Sequence, residues 1–377
     1  MIYKSFKELK LSSLGMGCMR LPLCKDDTQK IDREAVSEMV KYAMENGINY
    51  YDTAWGYHNG ESEIVMGETL KEYPRDSFCL ASKFPGYDLN NMDKAEEIFE
   101  KQLQKCQVEY FDFYLIHNVC EMNIDAYLDP KFGILDCFVK QKKAGRIRHL
   151  GFSNHGSLET VKRFLEVYSE EMEFCQIQLN WIDWKLQNAK ALVELLHERN
   201  LPIWVMEPDR GGKLASLEKE YEDKLKEYRP DSKAVEWAFR FIQTVPEVVV
   251  TLSGMSDFNQ LKENIDIFKE EKPLDDNELT ALFDVAEAIT SKTTLPCTAC
   301  RYCTPYCPME LEIPQIIEIY NEHVYSDGDY HSTMAANALP EDKKPSVCIG
   351  CRACEAVCPQ SIKISEMMSD FVKRLKK

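Results

Sequence analysis

The chain has 377 residues, of which 44% are hydrophobic, and a formal net charge of −17 at pH 7. This length predicts one large domain of roughly 250 to 300 residues and a smaller one. The negative charge argues against nucleic acid or an anionic membrane surface as a partner, because both would repel it. No apolar run approaches the roughly 18 residues of a membrane span, and the N-terminus lacks a signal-peptide layout, so we expect a cytoplasmic protein.

Short apolar runs alternate with amphipathic segments from about residue 10 to residue 270. The runs predict eight strands: LGMGCMRL, INYYDTA, SFCLASKF, FDFYLIHN, RHLGFSN, FCQIQLNW, PIWVMEP and VVVTLSG. The segments between them have a helical period, as in REAVSEMVKYAMENG, where Gly47 marks the predicted helix end. Strands that alternate with helices in this number predict an α/β fold, a closed (β/α)8 TIM barrel, rather than an open sheet.

A polar Ser-Lys-Thr-Thr stretch follows a helical segment that ends near Ile289. We take this stretch as a domain boundary, with the barrel in residues 1–290 and a small second domain in residues 291–377. The second domain is expected to be largely helical, with one helix beginning near Pro314.

Eight of the 15 cysteines lie in two runs of the second domain, CTACRYCTPYCP (Cys297–Pro308) and CIGCRACEAVCP (Cys348–Pro359). Both runs have the form C-x2-C-x2-C-x3-C-P, which is typical of [4Fe-4S] ligation in bacterial ferredoxins. Disulfides are a poor alternative, because they belong to small secreted scaffolds. Zinc is a closer alternative, but it requires neither the third cysteine two residues on nor the proline. The other seven cysteines (Cys18, Cys24, Cys79, Cys106, Cys120, Cys137 and Cys175) show no ligand spacing, and most of them are expected to be small core residues.

The two runs predict two [4Fe-4S] clusters with crossed ligation. In ferredoxins with two such runs, the fourth cysteine of each run binds the cluster of the other run. One cluster would therefore take Cys297, Cys300, Cys303 and Cys358, and the other would take Cys348, Cys351, Cys354 and Cys307. The long spacer between the runs favours a helical variant of the ferredoxin fold. We expect no comparable core elsewhere in the tail, so loss of the clusters should unfold all of it.

A second constellation lies at the carboxyl ends of the predicted strands, where barrels of this kind carry their chemistry. Asp52 and Tyr57 follow the second strand, Lys83 ends the third and His117 ends the fourth. An ammonium beside a phenol stabilises the phenolate and brings its pKa down from about 10, and the carboxylate would keep the amine charged. The imidazole would bind a carbonyl oxygen while the phenol delivers a proton to the developing alkoxide. These residues predict the polar half of a hydride transfer to a carbonyl.

The stretches DTAWGYHNGESE, ASKF, YLIHN, GRIRHLGFSN and QIQLNW resemble the aldo/keto reductases, in order and at comparable intervals, across about residues 1 to 285. With the cysteine tail, the whole chain resembles the aldo/keto reductase-like oxidoreductases that are fused to a ferredoxin-type domain. The resemblance implies a (β/α)8 barrel in which the four residues above form the family's catalytic tetrad. It also implies that Ser153, Asn154 and Gln178 hold the nicotinamide carboxamide of NAD(P)H.

The sequence departs from the family pattern at the adenosine 2′-phosphate. The family holds this phosphate with a Lys-Ser and a downstream Arg, followed by an Asn, near the start of the last helix, and the corresponding stretch here is SGMSDFNQLKEN. Asn264 matches and Ser256 is a further candidate contact, but Gly254 stands where the lysine is usual and Gln260 where the arginine is usual. Without these cations we expect a relaxed coenzyme preference, or one for NADH.

A second departure concerns the nicotinamide ring. Met206 stands where an aromatic residue often stacks on this ring, and a thioether grips a flat ring less definitely. The helix that begins near Asp257 is expected to offer free N–H groups to a phosphate, since loops after the seventh and eighth strands are common phosphate sites in such barrels.

The leading hypothesis is an oxidoreductase that reduces a carbonyl, or oxidises an alcohol, with NAD(P)H in the barrel, coupled to electron transfer through the two clusters. Hydride transfer moves two electrons together, whereas clusters pass one at a time, so a flavin in the barrel mouth is the alternative. A third hypothesis is an electron carrier or redox sensor with a non-catalytic barrel. The expected partners are a small carbonyl or alcohol substrate and a ferredoxin or flavodoxin-like redox protein.

Overall fold

Eight parallel strands close into a barrel in the computed structural model, which describes residues 1–297, 300–358 and 360–376. The barrel strands are β3 (Leu14–Gly17), β4 (Tyr50–Asp52), β5 (Cys79–Phe84), β6 (Phe111–Val119), β7 (Ile147–Asn154), β8 (Cys175–Gln178), β9 (Ile203–Met206) and β10 (Val248–Ser253). Their order around the barrel is β10-β3-β4-β5-β6-β7-β8-β9, and each strand coincides with one of the eight predicted apolar runs to within one residue beyond its ends. The expected closed (β/α)8 barrel is therefore confirmed.

An antiparallel hairpin, β1 (Tyr3–Phe6) and β2 (Leu9–Ser12), precedes the barrel. The sequence did not indicate it, because its turn contains no glycine and uses Lys7 at a φ of 50° instead. Phe6 is buried, and its ring centroid lies 5.0 Å from that of Trp204 and 5.7 Å from that of Phe113. The hairpin thus adds aromatic packing to the core inside the barrel.

The helix predicted in REAVSEMVKYAMENG forms as α1 (Arg33–Glu45), and Gly47, which follows it, adopts a φ of 88°. Within the described residues, no helix is long and apolar enough to cross a membrane. The helices of this region are α1 (Arg33–Glu45), α2 (Ser62–Leu70), α3 (Ala95–Cys106), α4 (Ile124–Leu128), α5 (Ile134–Lys143), α6 (Leu158–Tyr168), α7 (Asp183–Leu186), α8 (Ala189–Glu198), α9 (Lys219–Lys226), α10 (Ala234–Gln243), α11 (Phe258–Ile267) and α12 (Asp276–Thr290).

The chain divides into two compact units. The first comprises Met1–Asn180 and Lys190–Leu279, and the second comprises Trp181–Ala189 and Thr280–Lys377. The division falls within α12, whose last residue is Thr290. The boundary between residues 290 and 291, which the polar stretch suggested, stays a prediction.

The second unit is helical, as expected, and it contains an apolar core. Its remaining helices are α13 (Ile313–Ser326), α14 (Tyr330–Ala338), α15 (Ala353–Ala356) and α16 (Ile364–Arg374). The expectation that only the cysteine runs supply a core is wrong, because apolar residues at helical spacing pack together in α13 and α16. The buried residues of this core are Cys303, Leu311, Ile313, Ile316, Ile317, Ala336, Leu339, Cys354, Ile362, Ile364, Met367, Met368 and Phe371.

Phe371→Ala should loosen the second unit, because this ring is fully buried and lies 5.5 Å from the ring of Tyr320. Loss of a buried phenyl group costs about 3 to 5 kcal/mol. Hydrogen exchange of peptides from α13 and α16, measured by mass spectrometry on anaerobically purified protein, should become faster. Tyr330→Ala is the control, since that ring is 64% exposed. Equal exchange in both variants would contradict the role of this core.

Candidate active site and iron–sulfur centres

The four predicted catalytic residues lie together at the carboxyl ends of adjacent strands. Asp52 ends β4, and Tyr57 lies in the turn that follows it. Lys83 in β5 is paired in register with Leu115 of β6, two residues before His117. Because β4, β5 and β6 are neighbours in the barrel, their carboxyl ends bring these side chains to one mouth.

Lys83 is the centre of this arrangement. Its Nζ donates hydrogen bonds to Asp52 Oδ1 at 2.5 Å and to the main-chain oxygen of Thr53 at 2.9 Å. A third, longer contact of 3.3 Å reaches the hydroxyl of Tyr57. Lys83 has no exposed surface and Asp52 is 2% exposed, so the ion pair is fully buried. The three contacts aim the ammonium at the phenol.

The pKa values follow from burial and from the charges in this cluster. Burial acts to lower the pKa of Lys83, but Asp52 and Tyr57 together outweigh it and the pKa is raised, so the amine stays charged. Burial raises the pKa of Tyr57 above its ordinary value, while the charge of Lys83 opposes this rise and Asp52 adds to it. The expectation of a net decrease for Tyr57 is therefore wrong. Tyr57 keeps its proton at neutral pH, as a proton donor must.

His117 completes the set at the mouth. Its ring is half-buried and stands nearly perpendicular to the ring of Tyr57, with the centroids 6.1 Å apart. The ring of Tyr87 also packs edge-on against the imidazole, at a centroid distance of 5.4 Å. These two edge contacts restrict the orientation of the imidazole.

A buried polar network supports the strand that carries Lys83, and the sequence analysis did not identify it. Glu63 accepts hydrogen bonds from Ser82 and from Gln102, both at 2.6 Å, and pairs with Lys105 at 3.0 Å. Gln102 also donates to the main-chain oxygen of Lys83 at 3.0 Å. The available signal was the second acid of GESE, which lies on the buried face of α2.

The residues predicted to hold the nicotinamide lie at the ends of β7, β8 and β9. Ser153 is buried, and its Oγ accepts a hydrogen bond from the main-chain nitrogen of Asn118 at 2.8 Å. The side chain of Asn154 bonds both the nitrogen and the oxygen of Gly156. Asn154 therefore shapes the loop after β7 with the same amide that was expected to bind the coenzyme.

Gln178 and Met206 are paired in register as the last residues of β8 and β9, and both are half-buried. The sulfur of Met206 lies 3.6 Å from Nε2 of Gln176. A thioether thus occupies the position after the seventh strand where an aromatic ring was noted to be usual.

The residues predicted to surround the 2′-phosphate lie in the loop after β10 and in α11. The main-chain nitrogen of Ser256 donates to Gln260 Oε1 at 2.8 Å, and its Oγ donates to the main-chain oxygen of Arg20 at 3.0 Å. Asn264 is buried and donates to Oγ of Ser253 at 3.1 Å. These polar groups therefore already form hydrogen bonds with other groups of the chain.

The start of α11 differs from the expectation. Oδ1 of Asp257 accepts hydrogen bonds from the main-chain nitrogens of Asn259 at 2.8 Å and Gln260 at 3.0 Å. The prediction of free N–H groups is wrong for these two, because the capping carboxylate satisfies them.

Arg20 supplies a cation beside Gly254, and the sequence analysis missed it. A Cβ atom added to Gly254 would lie 3.2 Å from both Cβ and Cδ of Arg20. Arg20 follows β3, which pairs with β10 where the barrel closes, so residues far apart in the sequence meet here. This closure is a property of the fold, and no local pattern signals it.

The eight cysteines of the two runs line two cavities in the second unit. The first is lined by Cys297, Cys300, Cys303 and Cys358. The second is lined by Cys307, Cys348, Cys351 and Cys354. Each cavity thus contains three cysteines of one run and the fourth cysteine of the other, a donor set that fits a [4Fe-4S] cluster. Pro359, which follows the second run, lies outside the described residues.

Two known families match the chain, one in the barrel region and one in the region of the cysteine runs. Residues 13–287 match the sequence model of the aldo/keto reductase family. The chain belongs to the aldo/keto reductase family. Residues 296–363 of this aldo/keto reductase match the 4Fe-4S dicluster domain. The protein is therefore an oxidoreductase with an iron–sulfur domain.

Three relatives of this aldo/keto reductase show moderate similarity. It is 27% identical over 202 residues to the probable aldo-keto reductase 1 of Glycine max, covering 52% of this chain and 55% of the relative. It is 24% identical over 291 residues to the oxidoreductase YqkF of Bacillus subtilis (strain 168), and the match covers 68% of this chain and 87% of the relative. It is 23% identical over 227 residues to the NADH-specific methylglyoxal reductase of Escherichia coli (strain K12), and the match covers 55% of this chain and 66% of the relative.

Solved structures of aldo/keto reductases share the barrel. The holo form of AKR11C1 from Bacillus halodurans has a TM-score of 0.61 and 25% identity, and the match covers 76% of this chain and 97% of that one. An aldo/keto reductase from Klebsiella pneumoniae in complex with NADP and acetate has a TM-score of 0.61 and 17% identity, over 76% and 96% of the two chains. The second likeness shows the fold alone.

Lys83→Met should reduce the rate of carbonyl reduction by about 10²- to 10⁴-fold. Reduction is lost as pH rises through the pKa of the proton donor. Since Lys83 acts to lower the pKa of Tyr57, its removal should move the alkaline limb of the pH–rate profile to higher pH. Lys105→Met is the matched control, because it also removes the cation beside a buried carboxylate, Glu63. It should lower stability without moving the limb. Near-normal rates with an unmoved limb in Lys83→Met would contradict the tetrad.

Cys307→Ala should damage the cluster of the second run. Iron content should fall toward half. After alkylation and mass spectrometry, label should appear on Cys348, Cys351 and Cys354 while the remaining ligand cysteines stay protected. Cys24→Ala, which removes a half-buried cysteine of the barrel, is the control and should leave the iron content unchanged. Labelling of Cys297, Cys300 and Cys303 instead would show that each run binds its own cluster.

Proposed function

We propose that this aldo/keto reductase is a cytoplasmic enzyme that reduces a small carbonyl compound, or oxidises the corresponding alcohol, with NAD(P)H bound in the barrel. Two [4Fe-4S] clusters in the second unit exchange electrons with a ferredoxin or flavodoxin-like partner. The observation that carries the proposal is the buried Lys83–Asp52 pair, whose ammonium lies 3.3 Å from the hydroxyl of Tyr57.

The Lys83–Asp52 pair supports the delivery of a proton from Tyr57 to the substrate. NAD(P)H supplies a hydride to the carbonyl carbon when bound. Tyr57 then gives its proton to the carbonyl oxygen, and the nearby charge of Lys83 stabilises the phenolate that is left. Asp52 keeps Lys83 charged although the ammonium itself has no exposed surface. The balance is one hydride on carbon and one proton on oxygen, and the phenolate is reprotonated from solvent before the next turnover.

His117 orients the substrate in this proposal. Its ring stands edge-on to Tyr57, so a carbonyl oxygen that accepts a hydrogen bond from the imidazole also meets the phenol. Two donors on one oxygen favour the alkoxide over the carbonyl, because the charge that they stabilise develops during the reaction.

The carboxamide contact is assigned to Ser153, Asn154 and Gln178, and the face of the ring to Met206. Their position at strand ends of the same barrel supports this assignment. The name of the E. coli relative specifies NADH, and Klebsiella structures contain NADPH or NADP. Both coenzymes should therefore be tested. We expect either a relaxed coenzyme preference or a preference for NADH.

The crossed cysteine sets of the two cavities support the cluster proposal. The clusters pass single electrons, whereas a hydride carries two. A flavin in the barrel would connect the two processes, because it can exchange either one electron or two. An anaerobic preparation separates the alternatives. A flavin spectrum that remains after the clusters are bleached with acid would replace the nicotinamide proposal with the flavin one.

Tyr57→Phe should abolish carbonyl reduction with NADH and NADPH while coenzyme binding persists, because the ring remains and only the proton donor is lost. Stopped-flow measurement of coenzyme oxidation, with a panel of small aldehydes and ketones, tests this. The control is Tyr168→Phe, which removes a buried phenol hydroxyl bonded to the main-chain oxygen of Tyr127. Substrate-dependent reduction of the clusters that is unchanged in Tyr57→Phe would favour the electron carrier with a non-catalytic barrel.

A further inference from the structure

We propose that His58 is a positioning residue of the active site, whose imidazole holds the turn that carries Tyr57 against the segment after β3. The turn comprises Tyr57–Gly60, and the segment after β3 comprises residues 18–21. This inference rests on the proposed function, since it concerns the residue that donates the proton. His58 follows Tyr57 directly in the sequence, but it acts on the backbone of the turn rather than on the substrate.

The backbone of this turn is strained. His58 and Asn59 adopt φ angles of 51° and 55°, and Gly60 follows at 91°. The left-handed region is unfavourable for most residues with a side chain, although glycine and sometimes asparagine enter it readily. His58 therefore lies where glycine would be accommodated at lower cost. A residue persists in such a conformation only when its surroundings hold it there.

The imidazole of His58 provides one of these holding contacts. Its Nε2 accepts a hydrogen bond from the main-chain nitrogen of Leu21 at 3.0 Å. Leu21 is only 1% exposed, and a buried N–H group without an acceptor is costly. Removal of the imidazole would therefore release the turn and also leave the N–H of Leu21 without this acceptor.

A second hydrogen bond holds the other end of residues 18–21. Oγ of Ser62, the first residue of α2, donates to the main-chain oxygen of Cys18 at 3.0 Å. The same oxygen atom of Ser62 lies 2.8 Å from Oγ1 of Thr53 at the end of β4. The segment after β3 is thus bonded to the chain on both sides of Tyr57, and His58 provides the bond nearer to Tyr57 in the sequence.

These bonds determine where the hydroxyl of Tyr57 lies. This hydroxyl is 3.3 Å from Nζ of Lys83, and the ring stands edge-on to His117. A displacement of about 1 Å in a reacting group can reduce a rate about a hundredfold. Release of the turn should therefore lower the rate of the chemical step more than it weakens substrate binding.

The contact with Leu21 requires a neutral imidazole. A hydrogen bond accepted at Nε2 uses the lone pair of that nitrogen, and a protonated ring would direct a second N–H group at the first. Burial lowers the pKa of His58 below the ordinary histidine value of about 6.5. The contact is therefore formed at neutral pH, and it is lost as pH falls through the pKa of His58 in the folded protein.

Other titratable groups lie on the elements around this turn. They are Cys18, Arg20, Tyr57, Glu61, Glu63 and Glu68. Each of the carboxylates pairs with Arg33 or Lys105, and the guanidinium pairs with Glu207. Burial raises the pKa values of Cys18 and Tyr57, so both keep their protons in acid. The loss of the contact in acid is therefore assigned to His58.

Steady-state reduction of small aldehydes by NADH or NADPH tests His58→Leu beside His58→Gln. His58→Leu removes the acceptor, so kcat should fall about ten- to a hundredfold at neutral pH, with a much smaller change in KM for the aldehyde. His58→Gln keeps an acceptor that does not titrate, so it should retain most of the rate. Below about pH 6.5, the ratio of kcat in His58→Gln to kcat in the unaltered protein should rise. His197→Leu is the matched control, since that imidazole is 71% exposed.

Hydrogen exchange of peptides within residues 53–62, measured by mass spectrometry on the intact protein, reports on the turn without turnover. Exchange should be faster in His58→Leu than in the unaltered protein or in His58→Gln. Unchanged kcat or unchanged exchange in His58→Leu, or an equal loss of kcat in His58→Gln, would overturn the inference and leave the proposed function intact. If the unaltered protein reduced no aldehyde, the proposed function would fail, and the exchange measurement alone would decide whether His58 holds the turn.

Discussion

The ion pair between Lys83 and Asp52 is the interaction on which the barrel mouth depends. Two charges without solvent contact are costly to bury, and removing one partner leaves the other uncompensated at a cost of about 3 to 5 kcal/mol. The chain compensates the ammonium with the oxygen of Thr53 and the hydroxyl of Tyr57. The same burial that makes the pair costly also keeps the phenol protonated. Structure and chemistry at the mouth therefore have one physical cause.

The fold could be predicted largely from apolar runs and helical periods, and the tetrad from the rule that parallel strands end at one face. What the sequence did not show depends on burial and closure. The direction of the Tyr57 pKa shift is set by how deeply the ring is buried, which no local pattern reports. Arg20 meets Gly254 only because the barrel closes. The glycine-free hairpin turn at Lys7 likewise follows from tertiary packing rather than from turn chemistry.

The second unit combines two sources of stability. Its cysteine sets cross between the runs, so each cluster would tie one run to the other. Cys303 and Cys354 also belong to the apolar core, and Ile364 lines both cavities. Cluster sites and core thus share residues. The sequence indicated the ligands through their spacing, but it concealed the core, because the apolar residues of α13 and α16 lie on opposite sides of the second cysteine run in the sequence.

Burial outweighs the charge of Lys83 in setting the pKa of Tyr57, and a spectroscopic titration of this phenol measures the balance between the two. The difference in ultraviolet absorbance between the unaltered protein and Tyr57→Phe isolates the phenolate of this one residue as pH rises. The account predicts no phenolate signal from Tyr57 up to about pH 10, the ordinary tyrosine pKa. Ionisation of Tyr57 well below that pH would show that the ammonium dominates, and it would contradict the assignment of Tyr57 as a proton donor set by burial.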